Sequence, residues 1–402
     1  MRFGPVRLLT LGSRWHGRSV YLHLDEKGIQ GIELSDAPPL AEISVGWVDL
    51  LAWTRQPEMP SSESLHSLAE RARKGGFTHV LVGGWGGWHE PAVLAKLYSD
   101  AVGLPVWMHF LAAWATPEGN LAPLESLRAE GAAGWSIPPY QPIPWRTLIQ
   151  ALPYLRYLGG PVFLLPFWEA AQGEIGVSET LSLALSGWRG TPVFAETVAI
   201  HAIAALHRAL GSMMCIGPLS SKEGQEVAQF YGLQTFTSIS YLVAHAEKLL
   251  SYNPFWKLHP PLRSAADQRY LGQAVLSREM LVASGDILPP AEEKNIEWSA
   301  AAIGQPTVHV FASLLWETGG TLSSEGWAPE KLIQLLAENP RRFLGISPFG
   351  LEVGAPLDFT VFRIEDRAEP LSAPWSEYTS ALRVLGTIRC LADAHSLQSQ
   401  MS

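Results

Sequence analysis

The sequence predicts an α/β fold: a parallel (β/α)8 TIM-type barrel with a small composite β-sandwich domain built from both termini. Three observations carry this reading. Short apolar runs recur eight times, mostly with helical patterns between them. Those runs do not alternate polar with apolar, as expected of strands buried on both faces. Strand-like alternation stands at both chain ends. With 402 residues, 47% of them hydrophobic, the chain is long enough for one large barrel with an appendage and apolar enough to fill it.

At the start, VRLLTLGS (6–13), SVYLHLDEKG (19–28) and IQGIELSD (29–36) read as short strands separated by Gly-containing turns, forming the first part of the small domain over residues 1–45. The barrel is assigned to 46–347. WVDLL (47–51) opens it and precedes a helix in ESLHSLAERARKGG, where Gly75 and Gly76 supply the stop. HVLVG (79–83), PVWMHF (105–110), AGWS (133–136), VFLLP (162–166), SMMCIG (212–217), LQTFT (233–237) and MLVAS (280–284) supply the other seven strands. A helix ends near ENPRRFLG, and GAPLDFTVFRI returns to strand in the 348–402 segment, which completes the small domain. The polar tail DAHSLQSQMS reads as frayed.

Composition narrows the function. A net charge of −9 argues against a nucleic-acid or anionic-membrane surface, and no run of eighteen apolar residues is present to span a bilayer. No targeting signal is visible at the start, so a cytoplasmic protein is expected. Two cysteines, Cys215 and Cys390, exclude a disulfide framework and a thiolate metal cage. Sixteen tryptophans, with only 17% charged residues, are a surplus that interface cores or the protein core must absorb. The twelve histidines leave a metal site open in principle, so their positions matter.

Three stretches go beyond generic barrel sequence. GWVDLLAWTRQP (46–57) is followed by ARKGGFTHVLV (72–82); KLHPPLRSAADQRYLGQAV occupies 257–275; and AENPRRFLGI precedes GAPLDFTVF. In this order and at these separations the chain resembles a dihydroorotase of the amidohydrolase superfamily, from the N-terminal strands to Phe362. PPLRS is the most specific element. The resemblance implies the (β/α)8 barrel and flanking β-domain already read from the strands. It also implies a zinc-bound hydroxide that opens a cyclic amide, with imidazole and carboxylate ligands at the C-terminal ends of the strands.

At the positions where the resemblance puts those ligands, this chain has other residues. The His-x-His after the first strand falls on Leu51 and Trp53, although the preceding Asp49 fits the pattern. The bridging carboxylate falls in IPPY (137–140), which has no acid. The later histidines fall on Leu165 or Pro166 and near Pro218, with Cys215 at the neighbouring inward position. The final acid falls on Gly285, beside Asp286. On the substrate side, Trp85 in GGWGGW stands where the family has an Asn, and His259 replaces the Asn before Pro-Pro. Arg55 matches the arginine that pairs with the substrate carboxylate. Arg55, His259 and Asp286 are therefore the candidate vestigial carboxylate site. The expectation is no metal, no cofactor and no catalytic residue.

Other readings weigh less. No histidines are spaced as H-x-H or H-E-x-x-H, and GGWGGW lacks the Lys-Ser/Thr of a phosphate loop, so a permissive turn that lets Trp85 and Trp88 fold over the barrel mouth is favoured. Cys215 lies in apolar sequence with no base nearby and reads as inert, and Arg263 reads as a loop contact. The resemblance extends to members of the family that lack their zinc ligands and serve as structural partners of aspartate transcarbamoylase. It implies a catalytically inactive scaffold of pyrimidine biosynthesis, as a homodimer or larger assembly. The alternative is an active dihydroorotase or other cyclic amidase with an atypical site; a metal-free module binding a small carboxylate through Arg55 is the third.

Overall fold

The computed structural model describes residues 1–57, 64–210, 214–323, 327–347 and 350–401. The N-terminal segment folds as β1 (Arg2–Leu8), β2 (Ser19–Asp25), β3 (Gly28–Leu34) and β4 (Glu42–Val45). These strands alternate buried with more exposed residues, as in β2, where Val20, Leu22 and Leu24 face the core.

The barrel strands follow: β5 (Trp47–Thr54), β6 (Phe77–Gly84), β7 (Trp107–Ala113), β8 (Gly134–Ser136), β9 (Val162–Leu164), β10 (Met214–Ile216) and β11 (Gln234–Ser238), then β12 (Leu281–Ala283) and β13 (Asp286–Ile287). Each of β5 to β12 pairs in parallel with the next, up to β11 with β12, and β13 returns to pair with β5. β12 and β13 are thus two halves of an eighth strand, and the sheet closes. The break falls at Ser284–Gly285. Gly285 has φ +64°, and a Cβ there would come within 2.5 Å of the Ser238 hydroxyl, so glycine alone fits. All eight residues of β5 and of β6 are buried, which explains why those runs do not alternate.

The chain then returns through β14 (Phe359–Pro370) and β15 (Thr379–Ile388). The strand order β15-β14-β4-β1-β2-β3 joins both ends of the chain in one six-stranded mixed sheet. Thus the small domain takes the form of a single sheet, with β4 carrying the chain across to the barrel.

The tail departs from expectation. The polar tail is not frayed: Leu391–Met401 is a helix that buries Ala394, Leu397 and Met401. Their spacing of three and four places one face against the sheet, and Gln398 exchanges hydrogen bonds with Gly4 N–H (2.7 Å) and Gly4 O (3.0 Å). Polarity of the other face concealed this. The surplus tryptophans serve the core: Trp47, Trp88, Trp114, Trp135 and Trp375 are all fully buried.

Parts of the segments that carry the family resemblance, Gly46, Gly76, NPRRFLG and GAPLD, meet beneath the barrel, whereas PPLRS lies at the mouth. Arg341 of NPRRFLG donates through Nε to Gly46 O at 2.9 Å and pairs with Asp358 of GAPLD. Asp358 also accepts from His79 at 3.0 Å, and His79 contacts His109 at 2.9 Å. Burial pushes Asp358 up, but His79 and Arg341 outweigh it and bring its pKa to about 2. Gly76 has φ +88°, and a Cβ there would lie 2.8 Å from the Trp47 ring. These motifs hold the barrel floor to the β-domain, and they lie away from the strand ends where barrel chemistry is done.

Candidate functional site

The C-terminal ends of the barrel strands converge on a nearly filled mouth. Leu51, Trp53, Pro218, Gly285 and His259 line one cavity of about 40 Å³, together with Phe236, Tyr241 and Ile287. That space suits a few waters at most and is too small for a heterocyclic substrate. Below it, Leu51, Leu81, Leu111, Phe163, Cys215, Phe236 and Leu281 form a continuous apolar cluster, so the barrel interior is packed. Leu165 lines a second, outer cavity with Trp85, Phe167 and again His259. The positions taken from the resemblance, scattered over the sequence, thus come together at one end of the barrel.

The glycines of GGWGGW have a packing reason. Gly83 and Gly84 are the last residues of β6, not part of a turn. Gly83 sits opposite Trp53 in the strand register, and a Cβ on it would lie 2.5 Å from the Trp53 ring. A Cβ on Gly84 would meet the Trp88 ring at 2.6 Å. Each glycine therefore leaves room for an indole. Trp88 does not fold over the mouth: it is buried, donates through Nε1 to Gln56 O (2.9 Å) and packs edge-on against Phe110. Trp85 does reach the mouth, where it meets Tyr140 at 5.0 Å between ring centres.

The three residues of the candidate carboxylate site do not form one group. Arg55 is buried and pairs with Glu293 Oε2 at 2.6 Å, while its guanidinium lies 5.3 Å from the Trp85 ring. Its charge is met by an acid of this chain. Asp286 faces away from the cavity, because Gly285 and Ile287 take the inward places on that strand. It receives two hydrogen bonds from Arg71, at 2.8 and 2.7 Å, and others from the N–H groups of Thr307 and Val308. Burial alone would raise its pKa; Arg71 and the backbone donors outweigh this, and the carboxyl stays below its ordinary range. It acts as an ionised clasp between the eighth strand and the helix Leu65–Lys74. His259 stands alone of the three at the mouth, edge-on to Phe167 at 4.6 Å. Burial and the neighbouring Arg263 hold its pKa down at about 4, so it is neutral near pH 7.

Asp49 occupies the seam where the barrel closes. It accepts from Ser284 N–H at 2.8 Å and from the Ser284 hydroxyl, capping the break in the eighth strand. Burial raises its pKa to about 7 against those hydrogen bonds. Cys215 is fully buried, and burial pushes its thiol well above the ordinary range, which suits an inert core residue. Arg263 donates to the carbonyls of Thr191 and Pro192 and to the Ser220 hydroxyl. Glu196, which the sequence gave no reason to single out, accepts from the N–H and hydroxyl of both Ser220 and Ser221. Together they tie three loops of the mouth rim. Glu293 and Arg71 were equally invisible beforehand, since their partners lie more than two hundred residues away.

A zinc ion does not fit this donor set. Leu51, Trp53, Leu165, Pro218 and Gly285 offer no side-chain lone pair suited to it. Among the described residues no group of three His, Cys, Asp or Glu is placed to hold a metal. Nor, among them, is any helix long and apolar enough to cross a membrane.

The fold is shared with L-hydantoinase (dihydropyrimidinase) from Arthrobacter aurescens, which matches with a TM-score of 0.79 and 17% identity, covering 96% of this chain and 94% of that one. A dihydroorotase from Saccharomyces cerevisiae, solved with 5-fluoroorotic acid, matches with a TM-score of 0.64 and 11% identity over 85% of this chain and 97% of that one. No protein-family model matches the sequence. Sequence relatives narrow the class. A putative dihydroorotase of Rhodopirellula baltica is 28% identical over 352 residues, 83% of this chain and 74% of that protein. A dihydroorotase of Pelotomaculum thermopropionicum is 25% identical over 363 residues, covering 85% and 81%. Over most of its length the chain is thus similar in sequence to proteins named dihydroorotase.

Proposed function

We propose that this chain is a catalytically inactive dihydroorotase-like protein of pyrimidine biosynthesis that acts in the cytoplasm as a structural partner of aspartate transcarbamoylase. One observation carries the inactivity: none of the five ligand positions bears a donor side chain, and four of them, Leu51, Trp53, Pro218 and Gly285, meet around about 40 Å³ of space. A hydrolytic centre of the family's kind needs an activated water, an electrophile and room for the ring, and the expected ligand positions offer no donor for the first two. Stranded acids at a former metal site would be costly in an apolar interior, and here Glu293, Asp286 and Asp49 are paired with Arg55, Arg71 and Ser284.

The partnership rests on the resemblance to ligand-lacking family members, joined to a barrel whose framework is complete. Co-expression with the cognate transcarbamoylase, followed by sizing with light scattering and by transcarbamoylase assays, tests it. A stable co-eluting assembly is expected, and two independent species with unchanged activity would overturn the scaffold.

The second reading, an active cyclic amidase with an atypical site, is favoured by relatives named dihydroorotase that align over 74% and 81% of their length. Metal analysis together with a dihydroorotate ring-opening assay separates the two. One zinc per chain with chelator-sensitive hydrolysis would replace the first reading with the second.

A further inference from the structure

We propose that the outer flank of the barrel binds an α-amino acid with a large apolar side chain, in the cleft between the helices Ala265–Leu276 and Phe311–Leu322. The cleft encloses about 370 Å³, within the range of small-molecule sites. None of its lining residues belongs to either cavity of the mouth.

Helix packing leaves this space open. The two helices touch where Gly272 meets Leu322: a Cβ on Gly272 would lie 2.3 Å from Leu322 Cδ1, so only glycine permits the contact. Beside that contact, Leu242, Val243 and Leu314 line the cleft, with Leu242 and Leu314 buried. The hairpin between β14 and β15 adds Tyr378 and Thr379. It is tied to the second helix, because Ala381 N–H donates to Glu317 Oε1 at 2.9 Å and the Ser380 hydroxyl donates to Ser313 O at 3.3 Å. An apolar pocket with walls already fastened costs little ordering on binding.

The polar groups divide between the two walls. The helix Phe311–Leu322 supplies acceptors: the Glu317 carboxylate and the hydroxyl oxygens of Thr318 and Thr321. Those hydroxyls give their protons to Leu314 O (2.8 Å) and Glu317 O (2.9 Å) of their own helix. An ammonium, with three donors and no acceptor, complements such a wall. The facing helix supplies Arg269, an exposed guanidinium with no hydrogen-bond or ion-pair partner among the described residues. Its planar fork matches a carboxylate. A simple amine or a simple acid would satisfy one wall and leave the other charge unmatched. A zwitterion satisfies both, and its apolar side chain then rests against Leu242, Leu314 and Tyr378. This site uses no residue of the degenerate ligand positions, and it stands whether or not the chain assembles with a transcarbamoylase.

Calorimetric titration of the full chain with L-phenylalanine, phenethylamine and 3-phenylpropionate tests the proposal, since each of the last two lacks one charge of the first. L-phenylalanine is expected to bind saturably, one per chain, and each analogue about tenfold or more weaker, the loss of one charged hydrogen-bonding group. Arg269→Ala should weaken L-phenylalanine about tenfold and leave phenethylamine unchanged. Glu317→Gln, which keeps an acceptor for Ala381 N–H, should weaken L-phenylalanine similarly and leave 3-phenylpropionate unchanged. Thr321→Trp, which fills the cleft, should abolish binding, and melting curves establish that each variant is folded. No saturable binding of L-phenylalanine to the folded chain would overturn the proposal. So would either analogue binding as tightly, or L-phenylalanine binding that ignores the three substitutions.

Discussion

If the mouth is a packed plug, Trp53 should behave as a core residue and be coupled to the glycine that faces it. Trp53 is 7% exposed. A tryptophan side chain that buries about 150–250 Å² contributes about 4–6 kcal/mol at 25 cal/mol/Å². Trp53→Ala should therefore cost about 3–5 kcal/mol, the range for large aromatic truncations. The partner is Gly83, where a new Cβ would fall 2.5 Å from the Trp53 ring, with no atom of any other residue as near. Gly83→Ala alone should cost about 1–3 kcal/mol through overpacking. In the Trp53→Ala background that clash is gone, and alanine in a strand interior is better than glycine by about 0.5–1 kcal/mol. The coupling between the two sites should thus reach about 2–3 kcal/mol, the upper end for residues in contact. Urea unfolding of the four proteins, followed by far-ultraviolet circular dichroism, measures it. The reasoning fails if Trp53→Ala costs under about 1 kcal/mol, as at an open active site, or if Gly83→Ala costs the same in both backgrounds.

Three further outcomes follow. Arg71→Met strands the Asp286 carboxylate and should cost about 3–5 kcal/mol near neutral pH. Because Asp286 is held below its ordinary pKa by Arg71, the pair's contribution is present above the unfolded carboxylate pKa and fades as pH falls through the folded value. The variant's penalty should shrink on acidification as the stranded acid protonates, and a penalty that does not change with pH would refute this account. Asp49 behaves oppositely: its folded pKa of about 7 lies above the unfolded value, so it erodes stability as pH rises from about 4 to 7, by up to roughly 1.4 kcal/mol per unit. Asp49→Asn should gain on the wild type across that window; a gap that stays constant with pH would sink the assignment. Finally, purified protein should carry well under one zinc per chain, with a melting temperature unmoved by a chelator; stoichiometric zinc whose removal lowers it would show a site outside this donor set.

Much of the fold was legible because barrel strands announce themselves. Each of the eight apolar runs contains or overlaps one, and the helix before Gly75 ends where Gly76 takes a positive φ. The break in the last strand was not legible, since it depends on Ser284 and Gly285 meeting Asp49 and Leu51 from the opposite end of the barrel. The tail helix escaped for a different reason. Its apolar face is only three residues wide, and its stability comes from docking on the sheet more than from local propensity.

At the site, substitution was readable and consequence was not. The sequence alone showed Leu51, Trp53, Leu165, Pro218 and Gly285 where the resemblance called for ligands, because donor chemistry is a property of residue type. It grouped Arg55, His259 and Asp286 as one site, whereas strand alternation turns Asp286 outward to Arg71 and long-range pairing gives Arg55 to Glu293. It read GGWGGW as a turn, whereas two of those glycines are strand residues that make room for indoles. Residue identity determined which donor side chains the expected ligand positions lack. Only the tertiary structure decided which side chains fill that space and how much of it remains, because packing and charge pairing are settled between strands far apart in the chain.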